Sequence, residues 1–96
     1  MTINKTLNGG EAVIAVAGWL DTQASPELLA ELDRLEEGVT SLVLDFSKLE
    51  YISSSGLRAV VAAYKKMNGA LTVRNASEGV MSIIKTTGID KRVKFE

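Results

Sequence analysis

Residues 44–60 read LDFSKLEYISSSGLRAV, and this stretch decides how the chain is built. It begins with the end of a short apolar strand, predicted over 41–46, and it ends in a pattern typical of an amphipathic helix. Three serines in a row stand before that helix, and a serine hydroxyl can accept a hydrogen bond from a free N–H of the first turn. The stretch therefore predicts a strand, a loop over 46–55 and a helix. Ser54 or Ser55 is the expected cap, and Ser55 is the better of the two.

Short strands and helical patterns also alternate along the rest of the chain. Strands are predicted at 2–7, 11–18, 41–46, 70–75 and 92–95, and helices at 27–37, from the serines to Gly69, and from Ser77 to Gly88. In the first helix, Ser25 suits the N-cap, Pro26 the first helical position and Gly38 the residue that ends it. Strands that alternate with helices imply parallel strands joined by right-handed crossovers.

The expected fold is therefore α/β, with one domain over residues 1–96. The turn residues Asn-Gly-Gly at 8–10 predict a hairpin between the first two strands. In a parallel sheet, the loops that follow the strands lie along one edge, where ligands and partners usually dock. The loops expected at that edge are 19–25, 46–55 and 75–78.

Two acidic residues and a tryptophan are predicted at the same edge. Asp21 lies in the first loop, and Asp45 is expected at the end of the central strand. Each carboxylate is interpreted either as a loop residue bonded to nearby backbone or as part of a cation site or partner surface, and the spacing leaves both readings open. Trp19, the single tryptophan, is expected to be at least partly exposed because it follows a buried strand.

Composition excludes several classes of function. The 96 residues have a formal net charge of −1 and contain neither cysteine nor histidine. A nucleic-acid-binding protein would show a basic patch, and a Ser-His-Asp enzyme or a Cys/His zinc site would need the absent residues. The G-x-S-x-G motif of hydrolases is also absent, since 52–56 reads ISSSG. We expect a non-enzymatic protein without a cofactor or a bound metal, with no nucleic-acid partner.

The N-terminus and the hydropathy pattern indicate a cytoplasmic protein. No apolar run reaches the length that spans a bilayer, so membrane insertion is not expected. The first residues, MTINKTLNGGE, lack the charged and then apolar layout of a signal peptide.

The serine cluster also allows a regulatory interpretation beside the structural one. A helix N-terminus carries partial positive charge and free N–H groups, so it accommodates a phosphate. A phosphoserine there would add about −1.5 to −2 charge to an exposed edge without unfolding the helix. A simple cap and a phosphorylation site both remain open on this reasoning.

Four short motifs resemble the STAS domain (sulphate transporter and anti-sigma factor antagonist), and above all the small bacterial anti-sigma factor antagonists. The motifs are Gly18-Trp19-Leu20-Asp21, the strand end Asp45-Phe46-Ser47, the helix opening Ser53-Ser54-Ser55-Gly56-Leu57-Arg58, and Gly88-Ile89 followed by an apolar strand at Val93 to Phe95. The chain departs from the family pattern at two positions: Ser53 replaces the usual aspartate before the serine pair, and Arg58 replaces the usual second glycine.

The resemblance implies a fold and a function. The fold is a STAS-like βα superhelix with a mixed, mostly parallel sheet and helices largely on one face. The function is that of a phosphorylation-controlled binding protein. It binds an anti-sigma factor that is also a serine protein kinase, releases it when phosphorylated, and is dephosphorylated by a metal-dependent serine phosphatase.

The resemblance also implies site residues. The phosphoacceptor would be Ser54, with Ser53 and Ser55 as rivals. The partner-binding residues would be Asp21, Thr22, Asp45, Ser53, Ser55, Gly56 and Arg58. The chain is expected to be a monomer or a weak homodimer. An alternative is a constitutive accessory subunit of a transporter or stress-signalling assembly, in which the serines only cap a helix and form a contact surface.

Overall fold

The computed structural model describes residues 1–96, whose strands and helices alternate in the predicted order. The elements are β1 Thr2–Asn8, β2 Glu11–Leu20, α1 Ser25–Asp33, β3 Ser41–Ile52, α2 Ser54–Lys66, β4 Leu71–Arg74, α3 Glu78–Thr87, a 3-10 helix at Ile89–Lys91 and β5 Lys94–Phe95. No helix combines the length and the apolar composition that crossing a bilayer requires.

The five strands form one mixed sheet in the sequential order β1-β2-β3-β4-β5. β1 and β2 pair antiparallel as a hairpin, and its turn contains Gly9 at φ +63°, a left-handed conformation that glycine adopts without strain. The pairs β2–β3, β3–β4 and β4–β5 are all parallel. The predicted mixed sheet with an N-terminal hairpin is confirmed.

The central strand is longer than its sequence pattern indicates. β3 continues to Ile52 because β2 continues to Leu20, so that the ends of the two strands pair at Trp19 with Tyr51 and at Leu20 with Ile52. Two register shifts interrupt the ladder between Ala15 and Trp19 and break the simple alternation of apolar and polar residues. The predicted loop over 46–55 is therefore wrong.

The first helix also begins and ends differently from the prediction. Its N-cap is Ala24, which offers no side-chain cap, and Ser25 is instead a buried first helical residue whose hydroxyl donates to the Asp21 carbonyl at 2.6 Å. The helix ends at Asp33 with Arg34 as its C-cap, so Gly38 does not end it. The predictions for α3 are confirmed: Ser77 accepts a hydrogen bond from the Val80 N–H.

All three helices pack on one face of the sheet and share one apolar core. On that face, alternate strand residues are buried, and all three helices contribute to the same cluster. The strand residues are Ala12, Ile14, Val16, Leu20, Leu42, Leu44, Phe46, Leu49, Ile52, Leu71 and Val73, and the helix residues include Leu28, Leu32, Leu57, Val60, Ala63, Val80 and Ile84. The opposite face carries no helix.

One glycine fixes how closely α2 approaches the end of β2. A Cβ placed on Gly56 would lie 2.6 Å from the Leu20 carbonyl oxygen and 2.7 Å from an Ile52 side-chain carbon. A contact that short with backbone cannot be relieved by a rotamer change. Only glycine therefore allows the first turn of α2 to lie against the ends of β2 and β3.

We expect Gly56→Ala to lower the free energy of unfolding by about 1–3 kcal/mol, since the added methyl group overpacks this contact. Urea unfolding followed by circular dichroism measures the change. Gly79→Ala is the matched control, because a Cβ there meets only the Ser77 hydroxyl oxygen at 4.0 Å. The control should be neutral or slightly stabilising, by at most about 1 kcal/mol. Equal losses in both variants would contradict the proposed contact.

Candidate functional site

The helix cap at the start of α2 is Ser53. Its hydroxyl oxygen accepts a hydrogen bond from the Gly56 N–H at 3.2 Å and donates one to the Leu20 carbonyl oxygen at 3.3 Å. The Ser53 N–H donates to the same carbonyl oxygen at 2.9 Å. The prediction that Ser54 or Ser55 caps the helix is therefore wrong, because β3 runs up to Ile52 and the helix begins at Ser54.

The other two serines lie in different environments. Ser54 is exposed, and its hydroxyl forms no hydrogen bond with another residue of the chain. Ser55 is half-buried, and its hydroxyl lies 3.3 Å from the hydroxyl of Thr22. The three adjacent hydroxyls therefore differ in role. Ser53 caps the helix, Ser54 is free and exposed, and Ser55 contacts the loop after β2.

That loop is held in shape by Asp21. One carboxylate oxygen of Asp21 accepts hydrogen bonds from the N–H groups of Gln23 at 3.1 Å and Ala24 at 2.9 Å. This is the backbone-bonded loop role, one of the two predicted for this residue. Because Asp21 fixes the loop, Thr22 lies beside Ser55.

The first turn of α2 lacks a negative side chain. The first turns of α1 and α3 contain Glu27 and Glu78, whereas α2 has no acidic residue there and has Lys65 and Lys66 in its last turn. No side chain of that turn therefore neutralises the partial positive charge of the α2 N-terminus. Such an end favours an added anion.

Two further predicted site residues lie on the same helix. Arg58 is exposed and stands four residues after Ser54, the spacing at which side chains on one helix face are neighbours. Gly56 is buried, so it positions the turn and does not present a side chain. The structure therefore brings together Asp21, Thr22, Ser53, Ser54, Ser55, Gly56 and Arg58.

Asp45 lies apart from this group. It is in the middle of β3, paired with Ala15 and Arg74, and roughly 23 Å of extended strand separates it from Ile52. Its carboxylate accepts hydrogen bonds from the Ser47 N–H at 3.0 Å and the Asn75 amide at 3.4 Å. The Ser47 N–H is the main cause that lowers the pKa of Asp45 below its usual value, and the Asn75 amide and the charge of Arg74 act in the same direction.

An exposed aromatic pair borders the site. Trp19 is 57% exposed, which confirms the expected exposure, and its ring centroid lies 5.2 Å from that of Tyr51. Tyr51 was not predicted as a site residue, because the sequence pattern predicts a loop there and not a strand paired with Trp19. The pairing of the last residues of β2 and β3 is what brings the two rings together.

Comparisons with known proteins agree with this geometry. Residues 3–95 match the family model described as "Mlab, STAS domain". The anti-sigma-B factor antagonist of Bacillus subtilis (strain 168) is 28% identical over 85 residues, which cover 85% of this chain and 78% of that protein. The resemblance inferred from the four motifs is therefore confirmed.

Solved structures of similar proteins share the fold. An anti-sigma factor antagonist from Mycobacterium paratuberculosis has a TM-score of 0.87 at 26% identity, over 98% of this chain and 83% of that one. The Bacillus cell fate determinant SpoIIAA in its phosphorylated form has a TM-score of 0.75 at 18% identity, over 99% of this chain and 91% of that one. The second likeness concerns the fold alone.

We expect Ser53→Ala to lower the free energy of unfolding by about 1 kcal/mol, as loss of an N-cap usually does. Ser54→Ala should change it by less than about 0.5 kcal/mol, because an exposed side chain without partners contributes little. Ser77→Ala, which removes the equivalent cap of α3, is the matched control and should resemble Ser53→Ala. Thermal and urea unfolding measure all three, and a larger loss at Ser54 than at Ser53 would contradict the assignment of the cap.

The lowered pKa of Asp45 predicts a pH-dependent contribution to stability. A carboxyl whose folded pKa lies below its unfolded value of about 3.9 stabilises the fold at higher pH. That contribution is lost as the pH falls through the folded pKa. The stability difference between the wild type and Asp45→Asn should therefore stay constant from pH 7 to about pH 5 and shrink below about pH 4. A difference that is constant down to pH 3 in urea unfolding would show that Asp45 has no favourable native interactions.

Proposed function

The chain belongs to the STAS domain family, and we propose that it is an anti-sigma factor antagonist whose binding is controlled by phosphorylation of Ser54. In this proposal it has no catalytic activity. It binds an anti-sigma factor that is also a serine protein kinase, and phosphorylation by that kinase releases it. A metal-dependent serine phosphatase removes the phosphate and restores binding.

The observation that carries the proposal is the position of Ser54. Its hydroxyl is exposed and is not needed as the helix cap, because Ser53 fills that role. A kinase can therefore reach and modify Ser54 without breaking an internal hydrogen bond. Ser55 is a less favourable phosphorylation site, since it is half-buried and its hydroxyl contacts that of Thr22.

The chemistry of the modification fits the end of α2. The Ser54 hydroxyl oxygen attacks the γ-phosphorus of ATP, an O–P bond forms, the bond to ADP breaks, and the hydroxyl proton is taken up by a base of the kinase. The product adds about −1.5 to −2 charge at a helix terminus whose first turn holds no acidic residue. The free N–H groups and the helix dipole favour that charge, so the backbone of α2 can stay unchanged.

Release of the partner then follows from the charge and the size of the phosphate at the interface. The docking surface in this proposal consists of the Asp21–Thr22 loop, the exposed side of Ser54 and Ser55, and Arg58. A phosphate at the centre of this docking surface would no longer fit a partner surface that is complementary to the neutral Ser54 hydroxyl. It also offers Arg58, one helical turn away, a charge-assisted hydrogen bond that competes with a partner carboxylate.

The similar proteins support both the proposed class of protein and its phosphorylation. The Bacillus subtilis relative is named an anti-sigma-B factor antagonist. SpoIIAA, which shares the fold, has been solved in a phosphorylated form, so a fold of this type accommodates a phosphate. For the present chain, the partner and the phosphoacceptor are our proposals.

The test begins with the partner. We expect affinity purification from the native cells, followed by mass spectrometry, to recover a protein with a kinase fold. Titration of that purified protein should give the same Kd for wild type and Ser54→Ala, and a Kd at least about tenfold higher for Ser54→Glu, which corresponds to about 1.4 kcal/mol. Ser82→Glu, which adds the same charge at an exposed position on α3, is the control and should bind normally.

Phosphorylation is tested separately with the same protein and ATP. Label should enter the wild type and Ser55→Ala, and it should be lost from Ser54→Ala. Equal labelling of Ser54→Ala would disprove the site. Recovery of a transporter ATPase subunit whose binding is unchanged by Ser54→Glu would instead support the accessory role.

A further inference from the structure

A cavity at the C-terminal half of α2 has no part in the proposed function. Its volume is about 250 Å³, and it lies between α2 and the segment that joins α3 to β5. Four of its lining residues are apolar or aromatic, and two are basic. The first group is Val61, Tyr64, Ile89 and Val93, and the second is Lys65 and Arg92.

The wall opposite α2 is a hydrogen-bonded turn. Gly88 ends α3 in a left-handed conformation, at φ +78°, and the chain continues directly into the 3-10 helix. The N–H groups of Arg92 and Val93 both donate to the Ile89 carbonyl oxygen at 3.0 Å. Val93 is buried in the core cluster. The cavity is therefore preformed by fixed backbone, as small-molecule sites usually are.

The two basic side chains at the cavity have no internal partner. The ion pairs in the chain are Lys5–Glu36, Arg34–Glu31 and Arg74–Glu96, and no carboxylate lines the cavity. Lys65 and Arg92 are both exposed, and they place two positive charges without an ion-pair partner beside the apolar lining residues, in a protein whose formal net charge is −1. The local charge is not a consequence of a basic chain.

We propose that this cavity binds a small amphipathic anion, namely a carboxylate with a short aliphatic tail. The carboxylate would lie between Arg92, whose guanidinium can donate two parallel hydrogen bonds to it, and Lys65. The tail would pack on Val61, Ile89 and Val93. The volume lies just below the usual range for ligand pockets, which begins at about 300 Å³, so a short chain fits and a long lipid does not.

This inference does not depend on the role of Ser54, although both sites lie on one helix. Ser54 is the first residue of α2, and Lys65 is the next to last. A ligand in the cavity would contact the helix that presents the proposed phosphorylation site. Binding can be measured with the full chain alone, without a kinase or an anti-sigma factor.

The test is a titration of the full-length ¹⁵N-labelled protein with hexanoate, followed by amide chemical shifts. We expect saturable shifts confined to residues 61–65 and 87–93. Hexylammonium, which has the same tail and the opposite charge, should not produce them, and acetate should bind more weakly because it lacks the tail. Arg92→Gln and Lys65→Gln should each raise the Kd about fivefold, the upper end of what one exposed ion pair contributes.

Lys66→Gln is the matched control, since it removes the charge of the adjacent lysine, which does not line this cavity. It should leave the Kd unchanged. The proposal fails if hexanoate and hexylammonium give the same shifts, if neither cavity variant weakens binding more than Lys66→Gln does, or if the shifts do not saturate. Any of these results would show that Lys65 and Arg92 do not form an anion site at this cavity.

Discussion

The close approach of α2 to the end of β2 is the constraint on which the site depends. A side chain at Gly56 would collide with the Leu20 carbonyl oxygen, and the same oxygen receives two hydrogen bonds from Ser53. Together these contacts fix the first turn of the helix against the sheet. Because that turn is fixed, Ser55 meets Thr22 and Ser54 is left facing solvent.

The three serines therefore perform different physical tasks although they are adjacent. A helix start needs one side-chain acceptor for its free N–H groups, and Ser53 supplies it. The family pattern that this stretch resembles has aspartate in place of Ser53, and aspartate is also a good cap. The replacement keeps the hydrogen bond and removes a negative charge from the helix end. An anion added at Ser54 would then meet less repulsion than it would beside an aspartate.

The helix α2 connects the two regions that we propose as functional. Its N-terminus presents Ser54 and Arg58 beside the loop that Asp21 shapes. Its C-terminal half, with Lys65, forms one wall of the cavity, and Arg92 lies on the opposite wall. The exposed pair of Trp19 and Tyr51 adds an aromatic surface next to the first of these regions. The helix is buried along one side by the sheet, so both regions lie on a rigid support.

Local sequence patterns were enough to predict the element order, the hairpin, the cap of α3 at Ser77 and the family. Each of these depends on local residues: apolar periodicity, turn glycines, and a hydroxyl before a helix. The longer β3, the true cap of α2 and the early end of α1 were decided by tertiary structure. β3 extends through the polar residues Ser47 and Lys48 because the extended β2 pairs with it across two irregular steps, and that pairing has no local signature.

The same pairing decided which candidate residues form the site. Because β3 is extended from Asp45 to Ile52, Asp45 lies far from the serines, and Tyr51 lies opposite Trp19. Ser53 became the cap because the strand ends at Ile52 and its partner carbonyl belongs to Leu20, 33 positions earlier in the chain. A motif indicates which residues a site contains, but only the packing of α2 on the sheet decides which hydroxyl is bonded and which is free.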